Sequence, residues 1–386
     1  MSTHDFPRCP EHLYFHWPFC SKKCHYCDFV AFQNHEQYQD AYHETLCCEV
    51  ETFAQLTDAL KTPIKTIFMG GGTPSLYDTT QMAELFAQLR ERYNLSQLEE
   101  ASIEVNPADV EEERLDAWRE CGFTRLSIGV QALDDQLLAR LNRRQRTQDV
   151  FKAMKLAPKY FDRMSIDLIL GMPGVSQQQW KDTLTQAMNW PIEHISIYFL
   201  TIHEKTPLYF KVERGEHILP ADESVIEMYQ YTVEFLAHHG FEQYEISNFA
   251  KPGAESTHNK AYWDRKPYKG FGIGSSSFDG KSRFTNHKNL PDYLALYKNR
   301  STITYDTKEV LSNQQALLEH LMLSLRQRNG VGLHSMVYLL NEDQKARFFI
   351  QVQELIKASL LEEINGNIRL TIRGMILENE VVISLI

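Results

Sequence analysis

The sequence contains no run of roughly eighteen consecutive apolar residues, so it predicts no membrane-spanning helix. The opening residues MSTHDFPRCPEH include no basic segment followed by an apolar stretch, so no signal peptide is predicted either. Positive charge is scarce, because 40 Lys and Arg stand against 51 Asp and Glu, for a net charge of -11. That balance argues against broad nucleic-acid binding. We therefore expect a cytoplasmic protein with no nucleic-acid partner and no transmembrane anchor.

Cysteine is present in an odd number, seven. In a chain without a visible export signal, this argues against a disulfide framework and favours reduced thiols or metal ligands. The common zinc pattern of two C-x2-C pairs is missing, since Cys47 and Cys48 are adjacent in a helical pattern and Cys121 is isolated. One group is informative, with the spacing C-x3-C-x2-C directly after an apolar run: Cys20, Cys24 and Cys27.

Three thiolates can hold three irons of a cubane [4Fe-4S] cluster and leave the fourth iron open for a small chelating ligand. The amino and carboxylate groups of S-adenosylmethionine suit that position, and electron transfer from the cluster would then release an adenosyl radical. Two alternatives stay open: a zinc ion with His25 or His16 as fourth ligand, or three unrelated buried thiols. We favour the cluster, because three cysteines at this spacing beside a predicted strand are improbable by chance.

Six short, nearly continuous apolar runs predict strands buried on both faces, at 13–17, 65–70, 101–105, 124–130, 163–170 and 194–200. Helical patterns lie between them, at 36–58, 79–92, 110–120, 134–157 and 176–188. Repeated βα units predict an α/β protein, either a partial (β/α)6 TIM-like barrel or an open doubly wound sheet. Polar groups mark the strand ends: GGGTP, Glu104, Gln131 and Asp167. Because barrel enzymes gather their site at such ends, we predict the partial barrel.

Three regions are predicted along the chain. Residues 1–240 form the barrel domain, 241–300 form a connecting segment, and 301–386 form a smaller, mainly helical domain. The Gly-rich stretch KPGAESTHNKAYWDRKPYKGFGIGSSSF in the connection predicts a loop. Helices are predicted at 310–325 and 341–358, and an Asn-Gly pair predicts a hairpin at 361–372. This order is similar to a winged helix, and the acidic balance favours a packing module over DNA binding.

Six motifs carry a resemblance to a known family. They resemble motifs of the radical S-adenosylmethionine superfamily and are, in chain order, YFHWPFCSKKCHYC, FMGGGTPSLY, SIEVNP, LSIGVQ, RLNRRQ and IDLILGMPG. Within it, they are similar to oxygen-independent coproporphyrinogen III oxidase and its relative, the haem chaperone HemW. The motifs span roughly residues 13 to 240, and residues 300 to 386 resemble the C-terminal domain of that family. The resemblance implies the radical SAM type of partial barrel, a [4Fe-4S] cluster on the three cysteines and S-adenosylmethionine as cofactor.

The same resemblance implies a set of cofactor contacts. Taken alone, the glycine run could be only a tight turn, and Glu104 could be a structural partner of an arginine, since an unpaired buried carboxylate is costly. No Gly-Lys-Ser/Thr follows the glycines, so a Walker loop is excluded. Arg140 and Arg144 are close in sequence to Arg143 and are alternatives to it as the cofactor contact. The implied contacts are Tyr14, Tyr26, Gly71, Gly72, Thr73, Glu104, Gln131, Arg143 and Asp167.

A further motif, His258-Asn259-Lys260-Ala261-Tyr262-Trp263, resembles the HNxxYW signature of HemW, which implies haem as a third cofactor. A neutral imidazole is an ordinary axial ligand of haem iron, so His258 is the candidate ligand. On residue type alone, a histidine flanked by Tyr and Trp is more simply a packing anchor.

Two functions follow from the resemblance. One is a haem chaperone that hands haem to an acceptor protein and receives electrons from a donor such as flavodoxin or ferredoxin. The other is an enzyme that decarboxylates coproporphyrinogen III, or another tetrapyrrole, through the adenosyl radical. The decarboxylating enzymes carry a further cysteine two residues after the third, where this chain has Phe29. That difference and the HNKAYW motif favour the chaperone. Cleavage of S-adenosylmethionine is compatible with either function, and no catalytic residue is assigned.

Overall fold

A computed structural model describes residue 6 and residues 8–296, 302–333, 336, 340 and 342–385. Six parallel strands pair in the order in which the chain makes them. This order excludes a doubly wound sheet, in which the strand order reverses. All six predicted strands are present: β1 (His12–Trp17), β2 (Thr66–Gly71), β3 (Glu100–Val105), β4 (Arg125–Gln131), β5 (Arg163–Leu170) and β6 (His194–Phe199).

The helices between these strands follow the predicted pattern with one difference. The helix expected over 134–157 is two helices, because Asn142 takes a left-handed φ of 59° and ends the first of them. The turn between them packs on the cysteine loop, where the His25 N–H donates to the Leu141 carbonyl over 3.0 Å. These helices are α1 (Gln39–Thr57), α2 (Thr79–Arg92), α3 (Glu112–Cys121), α4 (Asp135–Arg140), α5 (Thr147–Leu156) and α6 (Gln177–Ala187). Two more helices follow β6, α7 (Pro207–Glu213) and α8 (Asp222–His238).

Residues 241–296 extend both edges of the barrel sheet. Strand β8 (Asn248–Ala250) pairs with β6, and β7 (Glu242–Gln243) pairs with the outer edge of β8. After helix α9 (Thr257–Trp263), strand β9 (Tyr268–Phe271) runs parallel to β1, followed by β10 (Ser276–Phe278) and β11 (Ser282–Thr285). Helix α10 (Leu290–Leu296) then packs on α1. The loop predicted over 251–278 is therefore wrong for half of its length, where one helix and two strands lie. The domain boundaries at 240 and 300 remain predictions.

The polar composition of this segment concealed its buried position. Lys269 of β9 is fully buried, and its Nζ lies 2.9 Å from a carboxylate oxygen of Glu49 on α1, which is also fully buried. Burial lowers the pKa of Lys269, and Glu49 opposes that shift. Glu49 also accepts the Gly272 N–H at 2.9 Å, the Asn286 amide at 2.8 Å and the Tyr293 hydroxyl at 2.9 Å. One buried carboxylate thus joins α1 to β9 and to the two segments that follow.

The C-terminal region has the predicted two helices and hairpin. At the hairpin tip, Asn365 and Gly366 have positive φ values of 54° and 79°, as an Asn-Gly type I′ turn requires. Residue 341 of the predicted second helix lies outside the described residues. The elements are β12 (Thr307–Val310), which joins the barrel sheet, then α11 (Asn313–Arg326), β13 (Val331–Gly332), α12 (Glu342–Lys357), β14 (Leu361–Ile364), β15 (Asn367–Leu370), α13 (Ile372–Ile376) and α14 (Glu378–Ser384). Across the part of the chain described, no helix is long and apolar enough to cross a membrane.

The Lys269–Glu49 pair makes a stability prediction. Lys269→Met leaves the Glu49 carboxylate buried without its cation, so we expect the free energy of unfolding to fall by about 3–5 kcal/mol. Chemical denaturation measures the change. As a matched control, Arg214→Met removes the partner of Glu216 from an exposed pair and should leave the free energy of unfolding nearly unchanged. Equal losses in the two variants would contradict this interpretation.

Candidate functional site

A cavity of about 500 Å³ lies at the carboxyl ends of the barrel strands and opens to solvent. Its volume is within the usual range for small-molecule sites. The structure places all the sequence-predicted site residues at this cavity except Tyr14 and His258. Those at the cavity are Cys20, Cys24, Tyr26, Cys27, Gly71, Gly72, Thr73, Glu104, Gln131, Arg143 and Asp167. Residues up to about 150 positions apart therefore meet at one rim, as expected for parallel strands.

The three thiols line one wall of the cavity. The Thr73 hydroxyl donates to the Cys20 sulfur over 3.3 Å, and a guanidinium N–H of Arg143 donates to the Cys24 sulfur over 3.5 Å. Burial raises the pKa of Cys20, and burial raises the pKa of Cys27 to about 11. Without a bound metal, these two thiols are therefore neutral at pH 7, and a metal would have to displace their protons.

Neither histidine proposed as a zinc ligand completes a four-ligand set. His16 directs one ring nitrogen to the Tyr14 hydroxyl at 3.0 Å and the other to the Val30 carbonyl at 2.8 Å. His25 Nδ1 lies 2.9 Å from the Arg140 carbonyl oxygen. Among the residues described, no group of three or more His, Cys, Asp or Glu side chains is arranged to hold one metal ion.

The end of β2 approaches the cysteine loop too closely for any side chain. A Cβ at Gly71, which has φ +115°, would lie 2.6 Å from the His16 ring, and a Cβ at Gly72 would lie 2.8 Å from the Pro18 carbonyl carbon. The Gly72 N–H donates to the Trp17 carbonyl over 2.7 Å. Both glycines are therefore required by the fold here, and both line the cavity.

Two carboxyl groups face each other across the cavity floor. Glu104 accepts the Gly71 N–H at 3.1 Å, and burial, with a smaller effect of Asp167, raises its pKa to about 8. Burial also raises the pKa of Asp167 to about 6, opposed by hydrogen bonds that include one of 3.1 Å from the Ser127 hydroxyl. The alternative in which Glu104 pairs with an arginine finds no such partner among the described residues. The carboxyl is held in the cavity mainly neutral, in a position to pair with a bound cation.

Gln131 and Arg143 lie on the adjoining wall. Gln131 takes a left-handed φ of 67°, which is uncommon for a residue with a side chain and turns the chain at the end of β4. Arg143 donates to the Gly129 carbonyl at 2.8 Å and to the Gln145 side chain at 2.9 Å. Of its two competitors, Arg144 lines the cavity and pairs with Asp109, whereas the Arg140 side chain is not among the lining groups.

Tyr14 and His258 lie in the barrel interior, away from the cavity lining. His258 is completely buried, with Nδ1 2.7 Å from the Thr66 hydroxyl and Nε2 2.8 Å from the Tyr262 hydroxyl. The His258 ring stacks on the Phe68 ring with centroids 5.2 Å apart, and the Tyr14 ring also stacks on Phe68, with centroids 6.2 Å apart. Burial lowers the pKa of His258 to about 3. In this conformation neither ring nitrogen is free to bind iron, so the arrangement is that of a packing anchor.

Several residues that line the cavity were not predicted from the sequence. Ser127 shares a strand face with Gly129 and Gln131, so the two-residue period of β4 could have identified it. The end of β6 was the one strand end to which no residue was assigned. There, Tyr198 is 43% exposed, and the cavity wall continues through Phe199 and Leu200 to His203. The strand-end rule would have found this group.

Comparison with known proteins identifies the family. The chain is 34% identical over 370 residues to the haem chaperone HemW of Bacillus subtilis, which covers 95% of this chain and 97% of that protein. This chain belongs to the HemW family. HemW of Lactococcus lactis is 32% identical over 373 residues, covering 96% of each chain.

The HemW assignment agrees with two sequence profiles and with the fold. The Radical SAM superfamily profile matches residues 14–187, and the HemN C-terminal domain profile matches residues 311–377. Coproporphyrinogen III oxidase (HemN) of Escherichia coli has a similar fold, with a TM-score of 0.83 and 24% identity over 98% of this chain and 91% of that one. The predicted radical SAM barrel with a smaller, mainly helical C-terminal domain is confirmed. A [4Fe-4S] cluster and S-adenosylmethionine are the cofactors that membership of this superfamily implies.

The raised pKa of Glu104 makes a second prediction. Because the folded carboxyl holds its proton to about pH 8 while the unfolded one releases it near 4.5, ionisation costs stability as the pH rises between these values. Glu104→Gln removes this cost and keeps an acceptor for Gly71. We expect the cofactor-free variant to exceed the parent by about 1–3 kcal/mol at pH 8 and by little at pH 5.

Melting temperatures at the two pH values measure this difference. The matched control is Glu234→Gln, an exposed glutamate on α8, which should change stability little at either pH. A Glu104→Gln variant with the same pH dependence of stability as the parent would show that the carboxyl is ionised in the empty cavity.

Proposed function

We propose that this chain is a HemW-like haem chaperone of the cytoplasm that binds a [4Fe-4S] cluster, S-adenosylmethionine and haem and passes haem to an acceptor protein. The observation that carries the proposal is the convergence of three thiols, a glycine strand end and two carboxyl groups on one open cavity. Two relatives that are 32–34% identical to this chain are named haem chaperones, and the similarity extends over nearly their whole length.

Cys20, Cys24 and Cys27 would hold three irons of the cluster. The hydrogen bond from Thr73 favours the thiolate form of Cys20, and the hydrogen bond from Arg143 orients the Cys24 sulfur. No fourth protein ligand is required, because the cavity beside the thiols is open to a small chelating molecule. When bound, the cluster supplies one-electron chemistry to S-adenosylmethionine.

The other cavity residues fit the parts of S-adenosylmethionine. Backbone groups at Gly71, Gly72 and Thr73, which line the cavity, would contact the methionyl portion. Glu104 would accept from the methionyl ammonium or from ribose hydroxyls and would ionise as a cation binds beside it. The remaining proposed contacts at the cavity are Tyr26, Gln131, Arg143 and Asp167. Tyr14 stays a prediction from the family resemblance, because it lies away from the cavity lining.

The choice between chaperone and oxidase depends on the residue two positions after Cys27. In this chain it is Phe29, and 63% of its surface is exposed. A phenylalanine cannot supply the thiol that the decarboxylating enzymes carry there. The proposed partners are a haem-accepting protein and an electron donor such as flavodoxin or ferredoxin.

A paired assay tests the function. Anaerobically reconstituted protein should bind haem, detected as a Soret band, and release it to an apo haem protein. With S-adenosylmethionine, reductant and coproporphyrinogen III, the same preparation should form no protoporphyrinogen. An oxygen-independent coproporphyrinogen oxidase run in parallel shows that the assay detects conversion. Efficient conversion by this protein would replace the chaperone proposal with the oxidase.

A further inference from the structure

One imidazole at the cavity has no part in the arrangement described so far. His203 follows β6, on the wall that also includes Tyr198 and Leu200, and it is the one histidine among the described residues that line the cavity. Its side chain is 43% exposed. The position of the residue is fixed, because its carbonyl accepts from both the N–H and the hydroxyl of Thr206, at 3.3 and 2.7 Å.

The surroundings of this imidazole are those of a metal ligand. His203 Nδ1 lies 3.3 Å from a carboxylate oxygen of Asp28. A histidine that binds a metal usually directs its other ring nitrogen to a carboxylate, which fixes the tautomer and strengthens the ligand. Nδ1 is the ring nitrogen that faces Asp28, so Nε2 is the ring nitrogen left for a metal.

The cavity wall beside His203 suits a flat, largely apolar molecule with acidic edges. Phe29, next to Asp28, is 63% exposed, and Tyr198 is 43% exposed. Both side chains line the cavity, where exposed aromatic rings offer an apolar surface to a ligand. The same lining includes Lys22 and Lys23, whose ammonium groups can pair with carboxylates.

We propose that His203 is an axial ligand of haem iron, with the macrocycle lying against Phe29 and Tyr198 along this wall of the cavity. This inference rests on the proposed haem binding and assigns its site. It gives the ligand role to an accessible imidazole, whereas His258 is fully buried with both ring nitrogens hydrogen-bonded. Haem bound here would lie close to the three cysteines, because Asp28 directly follows Cys27.

Haem titration of cluster-loaded protein tests the assignment. We expect His203→Ala to weaken haem binding at least tenfold and to remove the imidazole-ligated species from the ferric haem EPR spectrum. His203→Met should keep a bound haem with an altered spectrum, which a merely structural residue would not produce. Two matched controls, His258→Ala and the exposed His239→Ala, should retain the parental haem spectrum. Iron and sulfide content, measured for every variant, reports whether the cluster site is intact.

The outcomes separate this inference from the proposed function. If the parent binds haem and both His203 variants keep its affinity and spectrum, the ligand assignment is wrong and the chaperone proposal stands. Loss of the imidazole-ligated species in His258→Ala alone would assign the ligand to the HNKAYW motif instead. If the parent itself binds no haem, the proposed function fails, and the assignment of His203 fails with it.

Discussion

The cysteine loop is held against the end of β2 by two backbone hydrogen bonds, and the remainder of the site depends on that contact. The Gly72 N–H donates to the Trp17 carbonyl at 2.7 Å, and the Thr73 N–H donates to the Phe19 carbonyl at 3.1 Å. A Cβ at residue 72 would lie 2.8 Å from the Pro18 carbonyl carbon, so only glycine permits this approach. This contact places the Thr73 hydroxyl within hydrogen-bond distance of the Cys20 sulfur. On the other side of Gly72, the Gly71 N–H donates to Glu104.

At the opposite end of the barrel, a second buried carboxylate, that of Glu100, connects the barrel to the segment around α9. Glu100, which is fully buried, accepts from the Ser256 hydroxyl at 3.0 Å and from the N–H groups of Thr257 and His258 at 3.1 Å each. It therefore anchors the start of α9, the helix that carries the HNKAYW motif. At the other end of that helix, the Arg326 guanidinium lies 4.6 Å from the centre of the Trp263 ring. The motif thus links the barrel interior to the C-terminal region.

The sequence predicted what depends on local pattern. Apolar runs located all six strands, and residues at strand ends, such as Glu104 and Asp167, identified the cavity because parallel strands bring those ends together. Two kinds of feature escaped it. The strand that contains Lys269 looked polar because of its charged side chain. The partner that allows this charge to be buried, Glu49, lies 220 residues away in the sequence. The burial of His258 likewise depends on Thr66, 192 residues away, and no local pattern reports such a partner.

The central claim is that three thiols hold a cluster whose fourth iron accepts S-adenosylmethionine, and EPR of the reduced, anaerobically reconstituted protein tests it most directly. We expect a [4Fe-4S] signal that changes when S-adenosylmethionine is added, because a new ligand binds the open iron. Cys24→Ala should lose this signal, and Cys121→Ala, whose thiol lies away from the cavity lining, should retain it. A protein that takes up zinc without iron, or a cluster signal that S-adenosylmethionine leaves unchanged, would contradict the account.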